Sequence, residues 1–257
     1  RQCLFPDLDV HIISTTDQWA QFAVAGPNSR AVLSKIIDNV DMSNDGFPFM
    51  ACSDVTVCGG TPGRLFRISF SGELAYEVAV PARYGDALIR EIISAGEEFN
   101  ITPYGTEALG VMRIEKGHVT GAELNGQMTA FNINMNNMIS TKKDSIGSVL
   151  SRREVMVADD QVRLVGVKTI KKSDSLSSGA HFLAENDKPT TQNDQGWITS
   201  VCYSPHFEQH IGLGFLERGH ERHGEVLRAW DGIRGTDVLV EIVSSHMYDP
   251  EGGLQRG

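Results

Sequence analysis

The stretch GWITSVCYSPHFEQHIGLGFLE, residues 196–217, decides how the second half of the chain is read. Two β-rich runs, GWITSVCYS and HIGLGFLER, flank a polar turn. Four comparable runs surround them: VRLVGVKTI, GAHFLAE, EVLRAW and TDVLVEIVSS. Short strands at this spacing, separated by polar turns, predict a small barrel or sandwich after about residue 155. The Gly-Leu-Gly at 212–214 then lies inside a strand. No strand-to-helix turn follows it, so it is not a dinucleotide fingerprint. His206 and His210 stand four apart, and His220 and His223 three apart. Those spacings would put two imidazoles on one face of a helix, and the local pattern is strand and turn, with Gly219 and Gly224 flanking the second pair. They are read as exposed or packing histidines rather than a metal site. Nothing beside Cys202 makes it half of a nucleophile pair. Lys171 and Lys172 read as a solvated turn.

Upstream the pattern is mixed. DVHIIST and QWAQFAVAG read as two strands, and GPNSRAVLSKIID as a helix with Pro27 near its first turn. GRLFRISFSGELAYEVAVP reads as two strands around the Ser71-Gly72 break. ARYGDALIREIISAGEEF is an amphipathic helix with Leu88 and Ile92 on one face. KKDSIGSVLSRRE is a linker or short helix. The class is α+β, with an all-β C-terminal part.

YGTEALGVMRIEKGHVTGAELNG, residues 104–126, holds an awkward residue. Ala108, Leu109, Val111 and Met112 make an apolar helix face, and Glu115 falls on or beside it. A carboxylate buried without a partner is costly. Glu115 therefore binds a ligand, or it pairs with Arg113, Lys116 or another cation.

Composition sets limits. The 257 residues are 40% hydrophobic and 22% charged, ordinary for one large domain or two modest ones. A net charge of −10 argues against nucleic acid or an anionic membrane as the main partner. Cys3, Cys52, Cys58 and Cys202 are scattered without a CxxC, which fits a reducing, cytoplasmic setting. No run of about 18 apolar residues predicts a transmembrane helix. No signal peptide is visible. The chain opens at Arg1 without Met, as a processed product or a piece of a longer protein would.

Three segments resemble one family. SFSGELAYEV (69–78) is similar to the Ser/Thr-Gly-Glu segment of the aminomethyltransferases, the T-protein of the glycine cleavage system. Residues 104–126 resemble that family's Arg-hydrophobic-Glu triplet followed by Gly-x-Glu/Asp-Leu. Residues 196–217 resemble its C-terminal strand pair. LFPDLDVHIISTTDQWAQFAVAGPNSR, STKKDSIG and YDPEGGLQRG are similar to one branch, the C-terminal half of heterotetrameric sarcosine oxidase alpha subunits. Ser145 replaces that branch's aromatic residue, and AFNINMNNMIS is richer in Asn.

The resemblance implies a partial folate-binding aminomethyltransferase-type domain over 1–120, a connecting segment over 121–154 and a β-barrel domain over 155–257. It implies tetrahydrofolate as cofactor, its pterin ring held by Glu115. Lys142 or Lys143, Tyr76, Tyr104 and Tyr248 are further candidates to line the site, and a core role for the tyrosines stays open. The reaction implied is capture by tetrahydrofolate of the imine from sarcosine oxidation, giving 5,10-methylenetetrahydrofolate and glycine. Flavin and NAD are expected only in other parts of the parent complex. The other subunits and an upstream part of the same chain are the implied partners, with no nucleic acid or membrane. The family's essential Asp falls upstream of Arg1, so the catalytic residue is unknown and the chain alone is expected to be inactive. A non-catalytic folate-binding or assembly module and a stand-alone aminomethyltransferase are the alternatives.

Overall fold

The computed structural model describes residues 6–140, 142–143 and 145–257. Cys3, Thr141 and Asp144, each part of a reading above, lie outside the described residues. The chain forms two compact units.

The first unit is built from residues up to 69, 73–103 and 252–257. It holds β1 (Trp19–Ala25), α1 (Ser29–Leu33), β2 (Cys52–Val57), β3 (Thr61–Phe66), β4 (Ala75–Pro81) and α2 (Gly85–Gly96). The antiparallel sheet has the order β1-β4-β3-β2. Strand β4 pairs on both sides, and most of its side chains are buried on both faces. Leu33, Leu65, Tyr76, Val78, Leu88 and Ile92 are the heart of this core. Helix α2 lies close on β1, since a Cβ at Gly85 would come within 2.6 Å of the Ala20 side chain.

Two local expectations change. DVHIIST is not a strand: residues 9–14 are exposed, and the sheet's edge at β1 is paired to β4 alone. A β-rich run without a hydrogen-bonded neighbour stays open chain. Helix α1 is only five residues long. Its continuation peels away because Ile37 bridges Val57 and Cys58 N–H donates to Ile36 O at 2.8 Å. Strand β2, which the sequence analysis did not name, buries Val55 and Val57 and pairs with β3 through a hairpin at Cys58-Gly59-Gly60, all three with positive φ.

The second unit takes residues 70–72 and 104–251. It contains α3 (Thr106–Lys116) and six strands: β5 (Val162–Thr169), β6 (His181–Leu183), β7 (Gly196–Ser204), β8 (Gln209–Glu217), β9 (Val226–Asp231) and β10 (Thr236–Val243). They close into an antiparallel barrel in the order β10-β5-β8-β7-β6-β9. Each run read as a strand in this half forms one. The short C-terminal α4 (Gly253–Arg256) belongs to the first unit.

Val165, Val167, Phe182, Ile198, Leu216, Leu227 and Val240 fill one core cluster. A second cluster joins Leu164, Ile211, Leu213 and Phe215 to Ile114 of α3. Strand β8 is therefore buried on both faces, which is why it reads as a nearly continuous apolar run. The Gly-Leu-Gly serves this packing. A Cβ at Gly212 would sit 2.6 Å from Ser200 O, and one at Gly214 would sit 2.7 Å from Trp197 O. The Asn-rich segment has a similar role. Asn132 Nδ2 and Asn134 Nδ2 donate to Val162 O and Leu164 O of β5, both at 2.9 Å.

The side of α3 is not the buried face that its spacing suggests. Ala108 is exposed, and Leu109, Val111 and Met112 are half-buried. Burial is concentrated at Ile114, Glu115 and Lys116, because the helix docks on β7 and β8 by its last turn.

Candidate functional site

Gly117 ends α3 in the left-handed region at φ 80°, a C-terminal cap that Gly adopts without a Cβ clash. The three residues Glu115, Lys116 and Gly117 then seize a returning strap, residues 245–249. Tyr248 N–H donates to Glu115 O at 2.9 Å. Lys116 Nζ reaches Asp249 O at 2.6 Å and Asp249 Oδ2 at 2.9 Å. Ser245 O sits so close that a Cβ at Gly117 would lie 2.4 Å from it.

The Glu115 side chain faces the end of β7. Glu115 is 8% exposed, and Ser204 Oγ donates to its Oε1 at 2.5 Å. Ser204 Oγ also accepts from Phe207 N–H at 3.0 Å, so it closes the β7–β8 turn as it holds the carboxylate. The cations expected to pair with Glu115 are committed elsewhere. Arg113 bridges Glu123 at 3.2 Å, and Lys116 bridges Asp249. Among the described residues Glu115 has no ion-pair partner, and Oε2 accepts no hydrogen bond.

Aromatic residues lie on the segments that carry these contacts, since Tyr248 N–H bonds the Glu115 backbone and Phe207 N–H bonds Ser204. The Tyr248 ring meets His206 edge-on with centroids 5.0 Å apart, and His206 meets Phe207 at 4.7 Å. Lys168 Nζ lies 4.2 Å from the Phe207 centroid. Burial, with the Glu115 charge beside it, pushes the Cys202 thiol up to about 12, so Cys202 is no nucleophile at neutral pH.

The structure brings two of the sequence candidates together, Glu115 and Tyr248. Tyr104 precedes α3 and is 39% exposed. It lies just before the far end of the helix from Glu115, and the nine residues of rise from Thr106 to Glu115 amount to about 14 Å. Tyr76 is fully buried in the first unit's core, where its hydroxyl accepts from Arg30 Nε at 3.1 Å. Lys142 and Lys143 sit on exposed bends. The described residues contain no group of three or more His, Cys, Asp or Glu able to hold a metal. No described helix is long and apolar enough to cross a membrane.

Sequence reading missed Ser204, Asp249 and Glu123. Glu123 is wholly buried. Thr199 and Ser200 donate to one oxygen at 2.5 and 2.6 Å, and Thr120 N–H donates to the other at 2.8 Å. These hydrogen bonds and Arg113 hold its carboxyl below the ordinary value, against burial, which acts the other way. Arg113 and Glu123 belong to one matched segment and the Thr199-Ser200 pair to another, and the fold brings the two together at one point, which neither segment shows by itself.

Residues 2–143 match the GCVT N-terminal domain model, and residues 163–249 the glycine cleavage T-protein C-terminal barrel domain. The chain is 44% identical over 252 residues to sarcosine oxidase subunit alpha of Rhizobium meliloti (strain 1021), covering 97% of this chain and 25% of that one. It is 26% identical to an aminomethyltransferase of Listeria monocytogenes serotype 4b (strain CLIP80459), covering 93% and 62%. The crystal structure of glycine cleavage system aminomethyltransferase T from Bartonella henselae superposes with a TM-score of 0.74 at 17% identity, over 90% of this chain and 60% of that one. That likeness supports the fold. The chain spans about a quarter of the length of the sarcosine oxidase subunits it matches.

Proposed function

Because the chain belongs to the glycine cleavage T-protein family, we propose that it is the folate-handling, one-carbon-transfer part of a sarcosine oxidase alpha-type subunit. The observation that carries this reading is the isolation of Glu115. A buried carboxylate without a cation needs a donor from outside the described residues. A pterin ring presents an amino group and a ring N–H side by side, and a carboxylate accepts both in a fork. Oε1 keeps a lone pair after the Ser204 bond, so both oxygens can take part. In this reading the folate-binding domain runs through α3 to about residue 120, and the barrel contributes Ser204.

When bound, tetrahydrofolate supplies the nitrogen that captures the one-carbon unit of the imine from sarcosine oxidation, giving 5,10-methylenetetrahydrofolate and glycine. The chain's own task is to hold the pterin in one orientation, which favours reaction by proximity. In this reading Glu115 fixes the ring edge, and the Tyr248 ring, packed edge-on against His206, is a candidate apolar contact for the ligand. The acid–base group is supplied from elsewhere in the complete complex. Glu123 and Asp249 are tied to Arg113 and Lys116, and the Cys202 thiol stays protonated. That commitment also favours the second reading, a module that binds and presents folate without catalysing the transfer.

The test uses the full-length natural protein. Glu115→Gln is expected to weaken tetrahydrofolate binding by roughly 1.5–3 kcal/mol, the value of one charge-assisted hydrogen bond. Calorimetry measures this, while flavin reduction by sarcosine should continue unchanged. Unaltered folate affinity would make Glu115 an anchor for Ser204 and nothing more.

A further inference from the structure

A regular strand sends neighbouring side chains to opposite faces. Strand β7 breaks this rule: its pairing with β8 slips between Ile198 and Ser200. Such irregularities re-aim side chains. Here Thr199 Oγ1 and Ser200 Oγ both reach Glu123 Oε1, at 2.5 and 2.6 Å. Oε2 accepts from Thr120 N at 2.8 Å, and from Thr120 Oγ1 and Arg113 Nη1 at 3.2 Å. Arg113 Nη2 donates to Ser200 Oγ at 2.7 Å, closing a ring of groups around a carboxylate that is 0% exposed.

The ring joins the two elements that make the Glu115 contact. Arg113 is two residues before Glu115 on the last turn of α3, and Ser200 is four residues before Ser204 on β7. Arg113–Ser200 and Glu115–Ser204 are thus two rungs between one helix end and one strand. A slide of α3 along β7 would displace both rungs together. The Glu123 ring opposes that slide with directional bonds, which apolar packing lacks.

We propose that Glu123 is a positioning residue for Glu115: the Glu123–Arg113–Thr199–Ser200 ring sets the helix end so that Glu115 presents its fork to the ligand. The proposal rests on the reading of Glu115 as the ligand-holding group. It assigns the irregularity in β7 a purpose, since only a slipped strand aims two successive hydroxyls at one oxygen.

A double-mutant cycle in the full-length natural protein tests this, with tetrahydrofolate as the calorimetric probe. Glu123→Gln is expected to weaken binding roughly tenfold or more, the loss typical when the partners that orient a binding group are removed. The rate of flavin reduction by sarcosine should not change. In a Glu115→Gln background the same substitution should weaken binding by no more than about threefold, because a positioning residue has nothing left to position. If Glu123→Gln does not fold by circular dichroism, Thr199→Val takes its place in the same cycle. Fully additive losses, or unchanged affinity in the Glu123 or Thr199 variant while Glu115→Gln binds weakly, would overturn the positioning role and leave the Glu115 reading standing. Unchanged affinity in Glu115→Gln alone would overturn both.

Discussion

The middle and the C-terminal end of β7 each hold a buried glutamate, and they hold it differently. At Thr199–Ser200, in mid-strand, Glu123 accepts from two hydroxyls on one oxygen and is paired with Arg113 on the other. At the strand's end, the Glu115 side chain accepts from Ser204 alone. Both lie where water is scarce, so both carry the desolvation cost of a carboxylate. The first offsets it within the chain. The second leaves Oε2 and one lone pair of Oε1 without a partner among the described residues, although Arg113 and Lys116 stand two residues before it and next to it in sequence. Two nearby cations are turned toward other carboxylates, which is what the proposed ligand role of Glu115 rests on.

The largest way to break this comparison is to remove Glu123. Glu123→Ala leaves Arg113 without its counter-ion and four donors without their acceptor, a loss expected to cost about 3–5 kcal/mol. Urea unfolding measures it, and Glu115→Ala should cost much less. If the two variants are equally unstable, Glu115 is as structural as Glu123. Acid gives the companion test. The Glu123 carboxyl is held below its ordinary value in the folded protein. Its contribution is therefore fully present above the unfolded carboxylate value of about 4.3. It is lost as pH falls from there through the folded value, because the unfolded state binds the proton more readily. Glu123→Gln should flatten the stability profile in that window.

Next in size is Gly117, which sets the strap at the Glu115 end. Gly117→Ala places a Cβ at positive φ and against Ser245 O. Left-handed strain alone is worth about 1–3 kcal/mol. The variant should unfold at lower urea and also weaken tetrahydrofolate binding, since the strap carries Tyr248. A stability loss with intact affinity would separate the strap from the site.

Much of this architecture was legible in the sequence. Each barrel strand was readable, because a closed antiparallel wall imposes short β-rich runs and polar turns. Glu115 stood out because a carboxylate on a helix's apolar side demands an explanation. The rest was hidden for physical reasons. DVHIIST has strand composition, but composition cannot supply a neighbouring strand, and residues 9–14 stay exposed. The helix beginning at Ser29 stops early because residues 36–38 are claimed by the edge of β2. Glu123 was invisible as a buried group, since its partners come from Arg113, ten residues before it, and from Thr199 and Ser200, more than seventy after it. Lys142 and Lys143 entered through resemblance, and no contact of their side chains with another described residue supports a role.

The smallest effect sharpens the comparison most. Ser204→Ala removes the one donor that the described residues give to the Glu115 side chain, together with the acceptor for Phe207 N–H. A hydrogen bond to a charged group contributes about 1.5–3 kcal/mol when its loss leaves a partner stranded, and about 1 kcal/mol when water can replace it. If Oε2 is kept open for a ligand, the site admits water before the ligand arrives. Water would then replace Ser204 at Oε1, and the stability loss should stay near the lower figure in denaturant titration. Folate affinity should fall by about fivefold, the binding equivalent of that figure, and by less than Glu115→Gln causes, because the fork itself remains. A Ser204→Ala variant as unstable as Glu123→Ala would mean that Ser204 is the whole purpose of Glu115. The Glu123 and Glu115 contacts along β7 would then be two versions of one structural clasp.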